Sequence, residues 1–174
     1  KSTVGRHLAR QLGMRFVDSD TEIERHLGVP IREMFDTQGE AAFRDVEQAQ
    51  IEALTRDDGC VLATGGGVVL RAANREALQQ RCQVFYLRAS PEELGRRLRH
   101  DTHRPLLQGV NPLRRLRELF RERDPLYRRT AHYVVETPRP SVPALLNMVL
   151  MQLELSGLVD PAQVPSPVDS SPGA

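Results

Sequence analysis

The chain has 174 residues, 40% hydrophobic and 27% charged, which is the size and composition of one ordinary globular domain. Its 24 basic and 23 acidic side chains leave a net charge of +1, which excludes a general electrostatic pull toward nucleic acid or an anionic membrane. No apolar run approaches the roughly 20 residues that span a bilayer, Lys1-Ser2-Thr3 opens without an apolar leader, and Cys60 and Cys82 lack metal-ligand or C-x-x-C spacing. A reducing, cytoplasmic setting is therefore expected. All the basic residues except Lys1 are arginines. A GC-rich genome produces such a bias, so only particular arginines carry functional meaning.

Val4, Leu8 and Leu12 recur at four-residue spacing and predict an opening helix that Gly13 stops. Arg15 to Asp18 reads as a short strand ending in the acidic run Asp18-Ser19-Asp20. Asp20 is placed to cap a helix through Leu27 that Gly28 closes, and Pro30 to begin the next one. A longer helix is expected over Glu40 to Thr55, with Phe43, Val46, Ile51 and Leu54 on its apolar face. The run from Cys60 to Ala63 is continuously apolar, as in a parallel strand buried on both faces.

A helix over Ala72 to Gln80 and a second buried strand over Gln83 to Leu87 come next. Ser90, Pro91 and Glu93 form a capping box for another helix. Residues 100–112 read as an excursion loop, Leu113 to Arg129 as helix, His132 to Glu136 as a strand and Ala144 to Leu155 as a terminal helix. From Val159 the repeated prolines predict a disordered tail, 159–174. Alternating strands and helices of these lengths predict a doubly wound α/β fold with a parallel sheet.

Lys1-Ser2-Thr3 at a helix start is the fragment that a Walker A loop, G-x-x-x-x-G-K-[ST], would leave. Taken alone, the tripeptide is far better read as a solvated first turn. It is followed by Asp18-Ser19-Asp20, Phe43-Arg44 with Glu47, and Thr64-Gly65-Gly66-Gly67. Arg104-Pro105-Leu106-Leu107 and Arg123-Asp124-Pro125-Leu126-Tyr127 complete the series. In this order and spacing the set resembles shikimate kinase, of the nucleoside-monophosphate-kinase-like P-loop group, from Lys1 to about Leu155.

The resemblance implies a three-layer doubly wound parallel sheet of P-loop kinase type, five-stranded in the full protein, over residues 1–158 with a lid at about 100–112. It implies transfer of a phosphoryl group from ATP, with Mg²⁺, to the 3-hydroxyl of shikimate, a step toward chorismate and the aromatic amino acids. Lys1, Asp20 and Arg104 would then be catalytic. Asp20, Arg44, Gly65, Gly66, Gly67 and Arg123 would bind shikimate. Lys1, Ser2, Thr3, Arg104 and Arg139 would bind the nucleotide, and Ser2 and Asp18 the metal. Ile31, Phe35, Phe43, Pro105 and Leu106 would line the ring, although core packing explains Ile31 and Phe35 equally well. Arg99 would cover the adenine, and Arg139, Pro140 and Ser141 would cradle it, a bare loop being at least an equal alternative for those last three.

The roles implied make chemical sense. Guanidinium forks such as those of Arg44 and Arg123 suit a carboxylate, a surface-helix arginine being the plain alternative. A carboxylate at Asp20 can orient a hydroxyl and take its proton, and glycines at 66 and 67 let backbone N–H groups approach a ligand or simply make a tight turn. Glu47, three residues after Arg44, either fixes that arginine's rotamer or forms a solvated pair.

Against the family pattern, the strand before the P-loop and the loop's glycines do not precede Lys1. Strands flanking that position would expose ladder groups, so low solubility and doubtful activity are expected of the polypeptide beginning at Lys1. Small-molecule partners and a monomer are expected. Two other readings stay open: a related kinase acting on a substrate such as gluconate, and a non-catalytic kinase-derived ligand-binding or regulatory domain.

Overall fold

The computed structural model describes residues 1–98, 111–136, 141–160 and 162. Arg99, Arg104, Pro105, Leu106, Arg139, Pro140, most of the expected lid and nearly all of the proline-rich tail lie outside them. The chain forms two compact units, Lys1–Gly65 with Pro140–Ala174, and Gly66–Arg139. Four parallel-paired strands and seven α-helices alternate along the described residues.

In the first unit, α1 (Ser2–Leu12) buries Val4, Gly5, Leu8 and Ala9 along one face. Gly13 ends it at φ 63°, a left-handed conformation that a Cβ would disfavour. Helix α1 lies on the parallel pair formed by β1 (Arg15–Asp18) and β2 (Cys60–Ala63). The register sets Arg15 opposite Cys60 and Asp18 opposite Ala63. The approach is close because Gly5 has no side chain: a Cβ there would stand 2.7 Å from a ring carbon of Phe16. Helix α1 also packs against α7 (Val142–Leu155), whose Leu146, Val149, Leu150 and Leu153 are buried. Ser141 caps α7 by accepting a hydrogen bond from the Ala144 N–H at 3.2 Å.

Helix α2 (Ser19–Leu27) corrects one expectation. Its N-cap is Asp18, not Asp20. Asp18 still has extended backbone at the end of β1, and its Oδ1 accepts from the N–H groups of Asp20 and Thr21. Asp20, one residue inside the helix, is thereby spared the capping role. Helix α3 (Ile31–Leu54) merges the two helices that the sequence predicts, with Pro30 just outside it. They meet at Gly39, whose φ of 83° and ψ of 172° break the helical path. A side chain at that φ would be strained, so glycine permits the kink. Ile23, Met34 and Phe43 form the buried cluster between α2 and α3, with Leu27, Ile31, Phe35 and Val46 packed on it. The rings of Phe35 and Phe43 lie 4.7 Å apart.

The second unit contains a 3₁₀ turn (Val68–Leu70), α4 (Ala72–Arg81), β3 (Phe85–Arg88), α5 (Pro91–Leu98), α6 (Pro112–Thr130) and β4 (Tyr133–Glu136). Strands β3 and β4 pair in parallel from Phe85 opposite Tyr133 to Arg88 opposite Glu136. The expected capping box is present: Glu93 N–H donates to Ser90 Oγ at 3.2 Å, and Ser90 N–H to Glu93 Oε2 at 3.3 Å. Asn111 caps α6 through the N–H groups of Leu113 and Arg114.

The sequence predicts β2 and β3 to be buried on both faces, but every residue of both is only half-buried. Among the described residues each strand has a single ladder partner, so each strand leaves one edge without a ladder. Apolar composition reports that a strand can be covered, not how completely it is. No helix among the described residues is long and apolar enough to cross a membrane.

Candidate active site

Five of the side chains singled out in the sequence meet in the first unit, and local folding explains each placement. Lys1 stands at the N-cap position of α1, and Ser2 opens that helix. The Ser2 hydroxyl donates to Asp18 Oδ2 at 2.7 Å. Asp18 is thus used on both oxygens, one for Ser2 and one for the start of α2. A hydroxyl and a carboxylate so joined at a helix N-terminus, where free N–H groups gather positive potential, suit hard cations and phosphate oxygens. Thr3, the next residue, is exposed on α1.

Asp20 is half-buried, two residues beyond the cap. Burial raises its pKa above the ordinary carboxylate value, and the negative charge of Asp18 raises it further. The Lys1 cation pulls in the opposite direction, as does Arg44, and Glu24 adds to the upward push. The carboxylate therefore stands among two cations and two anions, with its basicity strengthened on balance.

Gly65, two residues after the end of β2, leaves room for this carboxylate. A Cβ on Gly65 would lie 2.7 Å from Asp20 Oδ1 and 3.3 Å from Oδ2. The Gly65 N–H donates to the buried Ser19 hydroxyl at 3.3 Å, which fastens the glycine turn to the first turn of α2.

Arg44 sits on α3 between two glutamates. Its Nη1 donates to Glu47 Oε2 at 2.6 Å, while Nε and Nη2 both donate to Glu40 Oε1. Arg44 and Glu47 keep only 11% and 3% of their side-chain surface exposed, so the solvated-pair alternative is excluded. Burial weakens the charge on Arg44, but the hydrogen bonds and charges of Glu47 and Glu40 outweigh it and raise its pKa. A guanidinium has five N–H groups, so those left over from the two glutamates can meet another acceptor. Of the residues expected to line the ring, Phe43, 4% exposed, belongs to the buried cluster of α2 and α3, and Ile31 and Phe35, half-buried, pack against it.

The second unit holds Gly66, Gly67 and Arg123. Gly67 leads into the 3₁₀ turn at an ordinary φ of −91°. The Gly66 carbonyl accepts a hydrogen bond from the Tyr127 hydroxyl. Arg123, on α6, has a buried Nε with no hydrogen-bond partner, a donor held out of water without an acceptor.

Its neighbour Asp124 is fully engaged, accepting from Tyr86 Oη and Arg88 Nε at 3.0 Å and from Arg128 Nε at 2.9 Å. Burial opposes that charge, yet these donors hold the Asp124 carboxyl below its ordinary pKa. Burial and the bond to Asp124 keep the Tyr86 phenol well above its own. Sequence reasoning assigned no role to Tyr86, Arg88, Asp124 or Tyr127. Residues 124 and 127 stand within the motif that carries Arg123, but no spacing rule connects them to β3.

The family model described as shikimate kinase matches residues 1–154. A shikimate kinase of Ralstonia nicotianae is 54% identical over 167 residues, covering 96% of this chain and 88% of that protein. One from Paracidovorax citrulli is 57% identical over 165 residues, covering 93% and 90%. Among solved structures, a shikimate kinase from Acinetobacter baumannii in complex with shikimate is 47% identical, with a TM-score of 0.82 over 91% of this chain and 88% of that one. Such identity over nearly the whole length, with a matching parallel α/β architecture, places this chain in the shikimate kinase family.

Proposed function

We propose that this chain transfers the γ-phosphoryl group of ATP to the 3-hydroxyl of shikimate, giving shikimate 3-phosphate on the route to chorismate and the aromatic amino acids. The observation that carries the reading is the Asp20 carboxylate, which is half-buried, raised in pKa, flanked by Lys1 and Arg44, and given room by Gly65. Asp20 orients the 3-hydroxyl and accepts its proton as the oxygen attacks phosphorus. A carboxylate with raised pKa is a better proton acceptor than an ordinary one.

Arg44, already rigid between Glu40 and Glu47, binds the carboxylate of shikimate with its remaining N–H groups. Arg123 does the same in the second unit, where its unpartnered Nε lacks an acceptor. The backbone N–H groups of Gly66 and Gly67 face the acceptor, while Gly65, whose N–H is held by Ser19, contributes the room that its missing side chain leaves. Lys1 neutralises phosphate charge, helped by Ser2 and Thr3 at the α1 N-terminus. Arg104 and Arg139 act on the nucleotide in the same proposal.

The Ser2 hydroxyl and Asp18 carboxylate are hard oxygen donors in contact, a pair that fits Mg²⁺, which takes few protein ligands and fills the rest with water and phosphate. When bound, Mg²⁺ supplies neutralisation of the developing phosphate charge. Everything else is positioning. The protein acts as a cytoplasmic monomer on these small molecules.

A coupled assay with ATP and either shikimate or gluconate tests the assignment. Phosphorylation of shikimate at the 3-position, with gluconate inert, is the expected result. Gluconate turnover, or binding of shikimate without any transfer from ATP, would refute it.

The glycine turn offers a sharper check. In Gly65→Ala the new Cβ displaces the Asp20 carboxylate. A shift of about 1 Å at a reacting group can cost roughly 10²-fold in rate. The fall should appear in kcat, with the thermal midpoint little changed. An alanine variant with wild-type kcat would show that Asp20 does not need its present position.

A further inference from the structure

The segment Gly66–Leu70 carries two glycines and contributes no long polar side chain, so something else must hold its backbone. The second unit supplies fasteners at both ends. At the far end, Asn74, 1% exposed, donates from Nδ2 to the Val68 carbonyl at 3.0 Å. Arg75 Nη1 donates to the carbonyls of Val69 and Leu70 at 2.7 and 3.2 Å. At the near end stands the Tyr127 hydroxyl on the Gly66 carbonyl. The Tyr127 ring is stacked on Tyr86 with 4.8 Å between centroids, and Tyr86 is itself bonded to Asp124.

The Gly66 carbonyl and the Gly67 N–H belong to one planar peptide unit and point in opposite directions. Fixing the carbonyl therefore fixes the direction of the N–H. Two adjacent glycines could otherwise rotate that plane at little steric cost.

We propose that Tyr127 is a positioning residue for shikimate, its hydroxyl orienting the Gly66–Gly67 peptide so that the Gly67 N–H faces the acceptor substrate. This rests on the functional reading above and adds a residue to it. Tyr127 acts through the backbone and touches no reacting atom.

The test compares Tyr127→Phe with Tyr86→Phe, since each loses one hydroxyl and keeps the ring stack. In Tyr127→Phe the KM for shikimate should rise roughly threefold to tenfold, the range one hydrogen bond spans, while the KM for ATP stays unchanged. Amide exchange at Gly67, measured without substrate, should accelerate in the same variant. Tyr86→Phe should lower the thermal midpoint and leave the KM for shikimate unaltered. A Tyr127→Phe enzyme with wild-type KM for shikimate, or with both KM values raised equally, overturns the proposal. So does unchanged Gly67 exchange. If Gly67 exchange rises but the wild-type protein phosphorylates no shikimate, the failure belongs to the functional assignment, and the role claimed for Tyr127 falls with it.

Discussion

Replacing Asp20 by asparagine is expected to lower kcat for shikimate phosphorylation by about 10²–10⁴-fold, the range for loss of a positioned general base. The same variant should unfold at an equal or higher temperature at neutral pH. Burial, followed by the charge of Asp18, raises the pKa of Asp20 in the folded protein. The native state thus binds this proton more tightly than the unfolded chain does. Its stabilising contribution is complete below the unfolded pKa, near 4 for an aspartate, and is lost as the pH rises through the folded value. At pH 7 the carboxylate is carried against folding, and an amide removes that cost. Thermal melts of both proteins from pH 4 to 7 check the sign: the advantage of asparagine should grow with pH. A variant that loses both activity and stability at pH 7 would mean that Asp20 is structural.

Arg44→Met should damage binding and folding together, and a second variant can separate the two. Removing the guanidinium leaves Glu47, 3% exposed, without its strongest cation. Breaking a buried pair from one side costs about 3–5 kcal/mol. The lower end is expected here because Arg44 itself keeps 11% of its surface exposed. Loss of a charge-assisted contact to a substrate carboxylate, at about 1.5–3 kcal/mol, should raise the KM for shikimate by roughly 10- to 100-fold.

In the double variant Arg44→Met with Glu47→Leu, apolar groups replace both charges. That exchange is often neutral or stabilising. Stability measured in denaturant should recover, whereas the KM should not. Recovery of both would mean that Arg44 serves only the fold.

Much of the fold follows from local chemistry that a sequence displays. The four-residue recurrence of Val4 and Leu8 and the glycine after Leu12 determine α1, and Ser90 with Glu93 determines the start of α5. The N-cap of α2 was harder because Asp18, Ser19 and Asp20 all have side chains able to cap. Which one does so depends on where β1 stops being extended, a tertiary matter.

The site divides along the same line. Arg44 and Glu47 are three residues apart on one helix, so their contact was foreseeable, but its burial was not. Tyr86 and Asp124 lie 38 residues apart, and Tyr127 and Gly66 lie 61 apart. Periodicity cannot reach such distances, because they are set by how α6 packs against β3 and against the segment leading into the 3₁₀ turn. The half-buried state of β2 likewise depends on what covers a strand rather than on its own residues.

In the function proposed above, Asp18 would link the two substrates in a way that limits how the enzyme can change. One oxygen holds Ser2 at the nucleotide end, and the other holds the first turn of α2, on which Asp20 rides. A single carboxylate is therefore a shared hinge pin for phosphate donor and acceptor. On that reading, evolution could not retune the proposed metal-side ligand without moving the proposed base, and asparagine there would remove the charge while altering both attachments. Relatives that adopt new acceptors should accordingly vary around Arg44 or the glycine turn and leave this residue alone.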